Sequence, residues 1–152
     1  MNNHCVLQVE DDANDIYLVD YAFSQAGVPR CVKAVRDVPE AIAYLSGSGG
    51  FGERAEHPLP KLVLLDLQLP GGSGFEVLDW IREKSDLSGL PVVIFSSSSR
   101  SEDIETAYQK GANAYLVKPS GMDELLPVVK CLAEFWLMHN RTTEPLEQIV
   151  GP

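Results

Sequence analysis

Carboxylates stand in two places where an apolar run of this chain stops. Glu10, Asp11 and Asp12 follow "CVLQV", and Asp66 follows "LVLL" within "KLVLLDLQLPGG". A hydroxyl, Ser96, follows "VVIF", and an ammonium, Lys118, follows "AYLV". If the first and third runs lie side by side, Glu10, Asp11 and Asp66 converge. Two carboxylates about 4 Å apart repel by roughly 4 kcal/mol at an effective dielectric near 20, so such a cleft needs a cation. An oxygen-only ligand set suits a hard divalent ion, Mg2+ (or Mn2+), which takes one or two carboxylates, waters and a phosphate. Lys118 supplies a second cation and Ser96 a hydrogen-bond donor. These parts fit phosphoryl transfer, which is mostly positioning and charge stabilisation. Asp66 is then the carboxylate nucleophile. The product, an aspartyl phosphate, brings a new charge of nearly two units, which Ser96 and Lys118 are placed to meet.

The elements that position these residues follow from hydrophobic period. Short runs with β-branched content at 5–9, 31–35, 62–65, 92–95 and 114–117 read as buried strands. Between them, Ile16, Val19, Phe23 and Ala26 fall on one helical face, with Gly27 as a stop signal. Asp37 is placed to cap a second helix, with Pro39 tolerated in its first turn. Ser73–Glu76 and Ser99–Glu102 both have capping-box spacing, and Gly111 ends the second of those helices. A last helix is expected over 123–139, with Pro127 bending or delaying its start. "LPGG" supplies a turn, and Gly71 and Gly72 are read as letting backbone pass close to the site. Strand and helix alternate five times, which calls for a parallel sheet covered on both faces by right-handed crossovers. Ligands of such sheets bind outside the carboxyl ends of the strands, where all the residues named above lie.

Composition agrees with one compact domain. The chain has 152 residues, 45% hydrophobic and 22% charged, within the globular range. Twelve basic residues stand against twenty-two acidic ones, a net charge of −10, so the Lys/Arg footprint of a nucleic-acid binder is missing. Cys5, Cys31 and Cys131 contain no Cys-x-x-Cys pair and read as buried thiols in a reducing compartment. The first apolar run is too short and too quickly acidic for a signal peptide, and no stretch approaches a membrane span, so the expected location is cytoplasmic. Residues 46–60, "SGSGGFGERAEHPLP", read as a long flexible surface loop.

Each feature alone is common, since an acidic run before a helix or a Lys-Pro turn has ordinary explanations. Their coincidence at successive strand ends is not common. Together "VLQVEDD", "LVLLDLQLPGGSGFEVL", "LPVVIFSSS" and "GANAYLVKP" resemble the receiver domain of two-component response regulators, from Val6 to about Trp136. The resemblance implies a flavodoxin-like, doubly wound (βα)5 domain with strand order 2-1-3-4-5. It implies phosphorylation of Asp66 by a histidine kinase, with metal held by Glu10, Asp11, Asp66 and the backbone carbonyl of Gln68. It places Ser96 and Lys118 at the phosphoryl group and Tyr115 at the aromatic switch position. The Gly-rich loop, "EDIETAYQKGANAYLVKP" and "FWL" are further similar to small regulators paired with cyanobacterial and bacterial phytochrome kinases. Gln68 stands where those relatives often have Asn, and Ser96 where they often have Thr, which bears on phosphoryl lifetime.

Residues 1–140 are read as the receiver and 141–152 as a tail, with no effector domain, so output is expected through binding. Phe135, Trp136, Leu137 and Met138 stand in a row that cannot all face one core. Phe135, Trp136 and Leu137 are therefore candidates for a partner or homodimer surface. Two other readings compete: a phosphorylation-independent adaptor, and an aspartyl-nucleophile phosphatase. The phosphatase is disfavoured because its general acid would fall on Gln68, which transfers no proton.

Overall fold

The computed structural model describes residues 6–141. Five strands, β1 (Val6–Val9), β2 (Val32–Val35), β3 (Leu62–Leu65), β4 (Val92–Ser96) and β5 (Ala114–Val117), form one sheet. All pairings are parallel and the order is β2-β1-β3-β4-β5. This is the flavodoxin-like fold, with the strands where the apolar runs predict them to within a residue.

Every residue of β1, β3 and β4 is buried, because side chains alternate between two covered faces. Val6, Leu62, Leu64, Val93 and Phe95 pack with Val19 and Phe23 of α1 (Ala13–Gln25) and Leu125 and Val129 of α5 (Met122–Leu132). Leu7, Val9, Val63, Leu65 and Ile94 pack on the other face with α2 (Val38–Ser46), α3 (Gly74–Glu83) and Ala107 of α4 (Ser101–Gln109). Among the described residues no helix is long and apolar enough to cross a membrane.

Local chemistry fixes the helix ends. Asp12 accepts the Asp15 N–H at 3.0 Å to start α1, and Asp37 accepts the Glu40 N–H at 2.8 Å to start α2. Ser73 caps α3 as expected, accepting from the Phe75 N–H. Ser99 does not cap α4: Arg100 is its N-cap residue, and the neighbouring Ser98 hydroxyl bonds Asp103 instead. The last helix starts at Met122, so Pro127 neither delays nor ends it, and a π-helical turn over Ala133–His139 continues it. Trp136 and Leu137 pack back on the α1–α5 core, whereas Phe135 and Met138 are exposed. Cys31 is buried but Cys131 is exposed, so only the first fits the expected pattern. Cys5 and most of the tail, from residue 142 on, lie outside the described residues.

The segment 46–60, read as a surface loop, is bonded to the end of α2. The Arg54 guanidinium donates to the carbonyls of Tyr44 (2.8 Å), Leu45 (2.8 Å) and His57 (3.1 Å). Two of these carbonyls belong to the last turn of α2, where backbone donors run short and only the Gly47 N–H reaches Tyr44, at 3.2 Å. The Tyr44 hydroxyl donates to the Pro58 carbonyl at 2.7 Å, and the Phe51 and His57 rings pack against Tyr44. Arginine and tyrosine thus staple the segment to α2.

Candidate functional site

The parallel sheet brings the expected residues to one edge. The Glu10 N–H donates to the Val35 carbonyl, Asp66 N–H to Val9, and Lys118 N–H to Ser96, at 2.9, 3.0 and 2.8 Å. Each functional side chain therefore leaves the last bonded position of its strand. Glu10 and Asp66 are buried, at 2% and 6% exposure, and Ser96 is fully buried.

Their charge is met by Lys118. Its ammonium lies 2.7 Å from Glu10 Oε1, 3.1 Å from Asp66 Oδ2 and 2.8 Å from Asp15 Oδ2. An ammonium has three N–H donors, and each meets a carboxylate here. Burial works against the Lys118 charge, but the bonds to Asp15 and Glu10 and the charge of Asp66 outweigh it and raise its pKa. Glu10 is the member that yields: burial and the neighbouring Asp66 charge push its carboxyl up to about 7, against the opposing bond from Lys118.

Asp11 follows Glu10 directly in the chain. It is exposed in the step from β1 to α1, and it makes none of the ion pairs to Lys118. Among the described residues no three Asp, Glu, His or Cys side chains form a metal-holding group. Glu10 and Asp66 thus meet at Lys118, whose third partner is Asp15. The donors at hand are nevertheless all oxygen: two buried carboxylates, the exposed Asp11 beside them and the main chain at Gln68. That set fits a hard divalent ion, provided that Lys118 gives way at Glu10.

Gln68 follows Asp66 by two residues, and its N–H reaches Asp66 Oδ1 at 3.4 Å. Gln68 and Leu69 pair antiparallel with Ser73 and Gly72. The turn between them has Pro70 and then Gly71 at φ +69°, as a type II turn requires. The close approach to the site belongs to neither Gly71 nor Gly72. A Cβ at Gly74 would overlap the Asp66 carbonyl oxygen and lie 3.0 Å from both Asp66 C and Leu67 Cα. Gly74 is therefore the residue that lets α3 start against the Asp66 backbone.

On the β4 side, the Ser96 hydroxyl accepts from the Ser98 N–H at 3.1 Å, which leaves its own proton free to donate. The half-buried Tyr115 donates its hydroxyl to the Ser98 carbonyl at 2.9 Å. One residue of the β4–α4 connection thus links Ser96 to Tyr115.

Asp15 is the participant that motif reasoning missed. It lies in the first turn of α1, and a carboxylate there already has a sufficient reason in the helix dipole. Only the tertiary approach of Lys118, 103 residues away in sequence, reveals a second one.

The fold and this edge of acids, lysine and hydroxyl define a receiver-type domain. The chain matches the response regulator receiver domain family over residues 6–130 and belongs to it. The "probable methanogenesis regulatory protein FilR2" of Methanothrix harundinacea is 36% identical over 92% of this chain and 88% of its own. Response regulator Rcp1 of Synechocystis is 34% identical over 87% of this chain and 88% of its own. The crystal structure of the phosphorylated cyanobacterial phytochrome response regulator RcpA superposes with a TM-score of 0.83, at 37% identity, over 91% of this chain and 97% of that one. The Mn2+-bound form of Rcp1 superposes at 0.80, with 32% identity, over 91% and 98%.

Proposed function

We propose that this protein is a single-domain response regulator in the cytoplasm. It takes a phosphoryl group from a histidine kinase onto Asp66 and thereby changes a protein-docking surface. The observation that carries the reading is the Lys118 ammonium lying between the buried carboxylates of Glu10 and Asp66, with the buried Ser96 at the end of the adjoining strand. The unit is residues 1–140, with 141–152 as a tail, and the protein acts as a signalling phospho-acceptor, not as an enzyme on other substrates.

Asp66 attacks the phosphorus of a phosphohistidine in line, and the imidazole leaves. Glu10, Asp11, Asp66 and the Gln68 carbonyl are the residues that would hold Mg2+ (or Mn2+). Bound there, the ion neutralises charge on phosphoryl oxygens. Lys118 turns from Glu10 toward the new anion, and Ser96 donates its free proton to it. Since Ser96 also holds the Ser98 N–H, its movement pulls on the connection that Tyr115 grips from the other side. A local change of charge thereby biases the α4–β5–α5 face.

The kinase is of the phytochrome type, a reading supported by the likeness to RcpA and Rcp1. The partner surface is the end of the last helix, where Phe135 is 51% exposed beside Trp136 and Leu137, which are half-buried against the α1–α5 core. A homodimer through this face is expected; light scattering that shows only monomers at micromolar concentrations, phosphorylated or not, defeats it. The central test is transfer from a phosphorylated phytochrome-type kinase. Wild-type protein takes the label in Mg2+ and Asp66→Asn takes none. Equal labelling of Asp66→Asn removes the acceptor assignment. A wild-type protein without Mg2+-dependent beryllofluoride binding is instead a phosphorylation-independent adaptor.

A further inference from the structure

We propose that Asp15 is a positioning residue for Lys118: it receives the ammonium when a divalent cation takes the carboxylates of Glu10 and Asp66. The inference rests on the function proposed above and adds one residue and one movement to it.

In the arrangement described, Lys118 spends its three donors on Glu10, Asp66 and Asp15. A divalent ion bound to Glu10 and Asp66 competes for carboxylates that the ammonium already holds by one oxygen each, Oε1 of Glu10 and Oδ2 of Asp66. Two cations on one carboxylate repel each other in a site this dry, so the metal drives Lys118 away from Glu10. Of its three partners, Asp15 alone stands outside the buried strand-end pair. It is 31% exposed in its side chain, against 2% for Glu10 and 8% for Asp66. Its backbone is held independently of the lysine, because its N–H is bonded to the Asp12 cap. Asp15 and Lys118 also line a shared groove between α1 and the segment 118–121, together with Asn14, Leu18 and Leu125. The ammonium therefore has a neighbouring anion and open space on the side away from Glu10.

Removing Asp15 leaves Lys118 with only the two carboxylates that the cation needs. The cation then competes against a lysine with nowhere to go, and affinity falls.

The test is calorimetric titration of the full chain with Mg2+, and with beryllofluoride at saturating Mg2+. Wild type, Asp15→Asn, Asp15→Glu, Lys118→Ala and the Asp15→Asn/Lys118→Ala double variant are compared. Asp15→Asn is expected to weaken both ligands on the order of three- to tenfold, the range of a partly buried ion pair. Asp15→Glu restores affinity to within about twofold, and the asparagine change has less than about a twofold effect when Lys118 is absent. Equal losses with and without Lys118 overturn the proposal, since Asp15 would then act through its own charge on the ligand. So does no loss in either background. In the metal-free protein, the 15Nζ resonance of Lys118 gives a readout that needs no ligand. It shifts in Asp15→Asn, and an unmoved resonance also overturns the proposal. Wild-type protein that binds neither ligand, with a Lys118 resonance that still senses Asp15, defeats the function proposed above and leaves the ion pair standing.

Discussion

Replacing Gly74 by alanine separates the packing account of the site from simple helix propensity, because the two give opposite signs. Gly74 opens α3 at a negative φ, so alanine meets no backbone penalty there. On propensity alone the change stabilises, by up to about 1 kcal/mol in a helix. That figure already includes the smaller unfolded ensemble of alanine. Against this, the new Cβ overlaps the Asp66 carbonyl oxygen and sits 3.0 Å from Asp66 C and Leu67 Cα. All three are backbone atoms, held by the bonds from Asp66 N–H to Val9 and from Gly74 N–H to Leu67, so no side chain can swing away. Overpacking of this kind costs about 1–3 kcal/mol, and the overlap with an oxygen puts it at the upper end. We expect a net loss of about 2 kcal/mol in urea unfolding, seen as a lower midpoint at unchanged slope. The β3–α3 segment must shift to relieve the overlap, so Mg2+ affinity falls with stability. Gly89→Ala and Gly50→Ala, where a Cβ meets nothing within 4 Å, should be neutral or slightly stabilising. Gly74→Ala with wild-type midpoint and wild-type Mg2+ affinity would refute the reasoning.

Two further predictions concern charge and the stapled loop. Because the Glu10 carboxyl is pushed up to about 7, a proton competes with a cation there, so Mg2+ should bind more tightly as pH rises from 6 to 8 and level off above; a flat calorimetric profile contradicts this. The same shift sets the sign for folding without metal. Unfolded Glu10 releases its proton near 4.5 and native Glu10 near 7, so its contribution falls between those pH values, by about 3 kcal/mol at most. Lys118, shifted upward, contributes throughout that window and loses its contribution only above the usual lysine range. Arg54→Ala removes the donor to three carbonyls and should cost about 1.5–3 kcal/mol, with faster amide exchange confined to 46–60 and the end of α2; unchanged exchange would show that the staple is idle.

Much of the fold was legible because period and burial agree. A run such as Leu62–Leu65, apolar at every position, has one economical explanation, a strand covered on both faces. Once the strands are parallel, their carboxyl ends share an edge, and Glu10, Asp66, Ser96 and Lys118 must approach one another. What escaped the sequence depends on side-chain reach across the tertiary structure. Arg54 looks like any charge in a Gly-rich loop until its guanidinium meets the end of α2. Gly74 looks like one glycine in "GGSG" until the Asp66 carbonyl is placed against it. Asp15 looks like a first-turn acid until Lys118 arrives. Ser99 and Ser98 have the same chemistry one residue apart, and spacing cannot say which of them will turn toward Asp103.

The burial of Asp66 at the end of a core strand is a problem of charge. Glu10, Asp15 and Asp66, all ionised, bring three negative charges against the one positive charge of Lys118, which leaves two. The metal-free molecule reduces that excess by holding a proton on Glu10 up to about pH 7. The remainder lies toward the half-exposed Asp15, where water screens it. A divalent cation would cancel an excess of two outright. Proton and ammonium therefore meet at one pair of carboxylates, and a metal bound there would compete with both. It follows that the acidity of Glu10, the place of Lys118 and the affinity for metal cannot be altered separately. A substitution at any of the four residues should move all three quantities together, and a site that responded one property at a time would not be built this way.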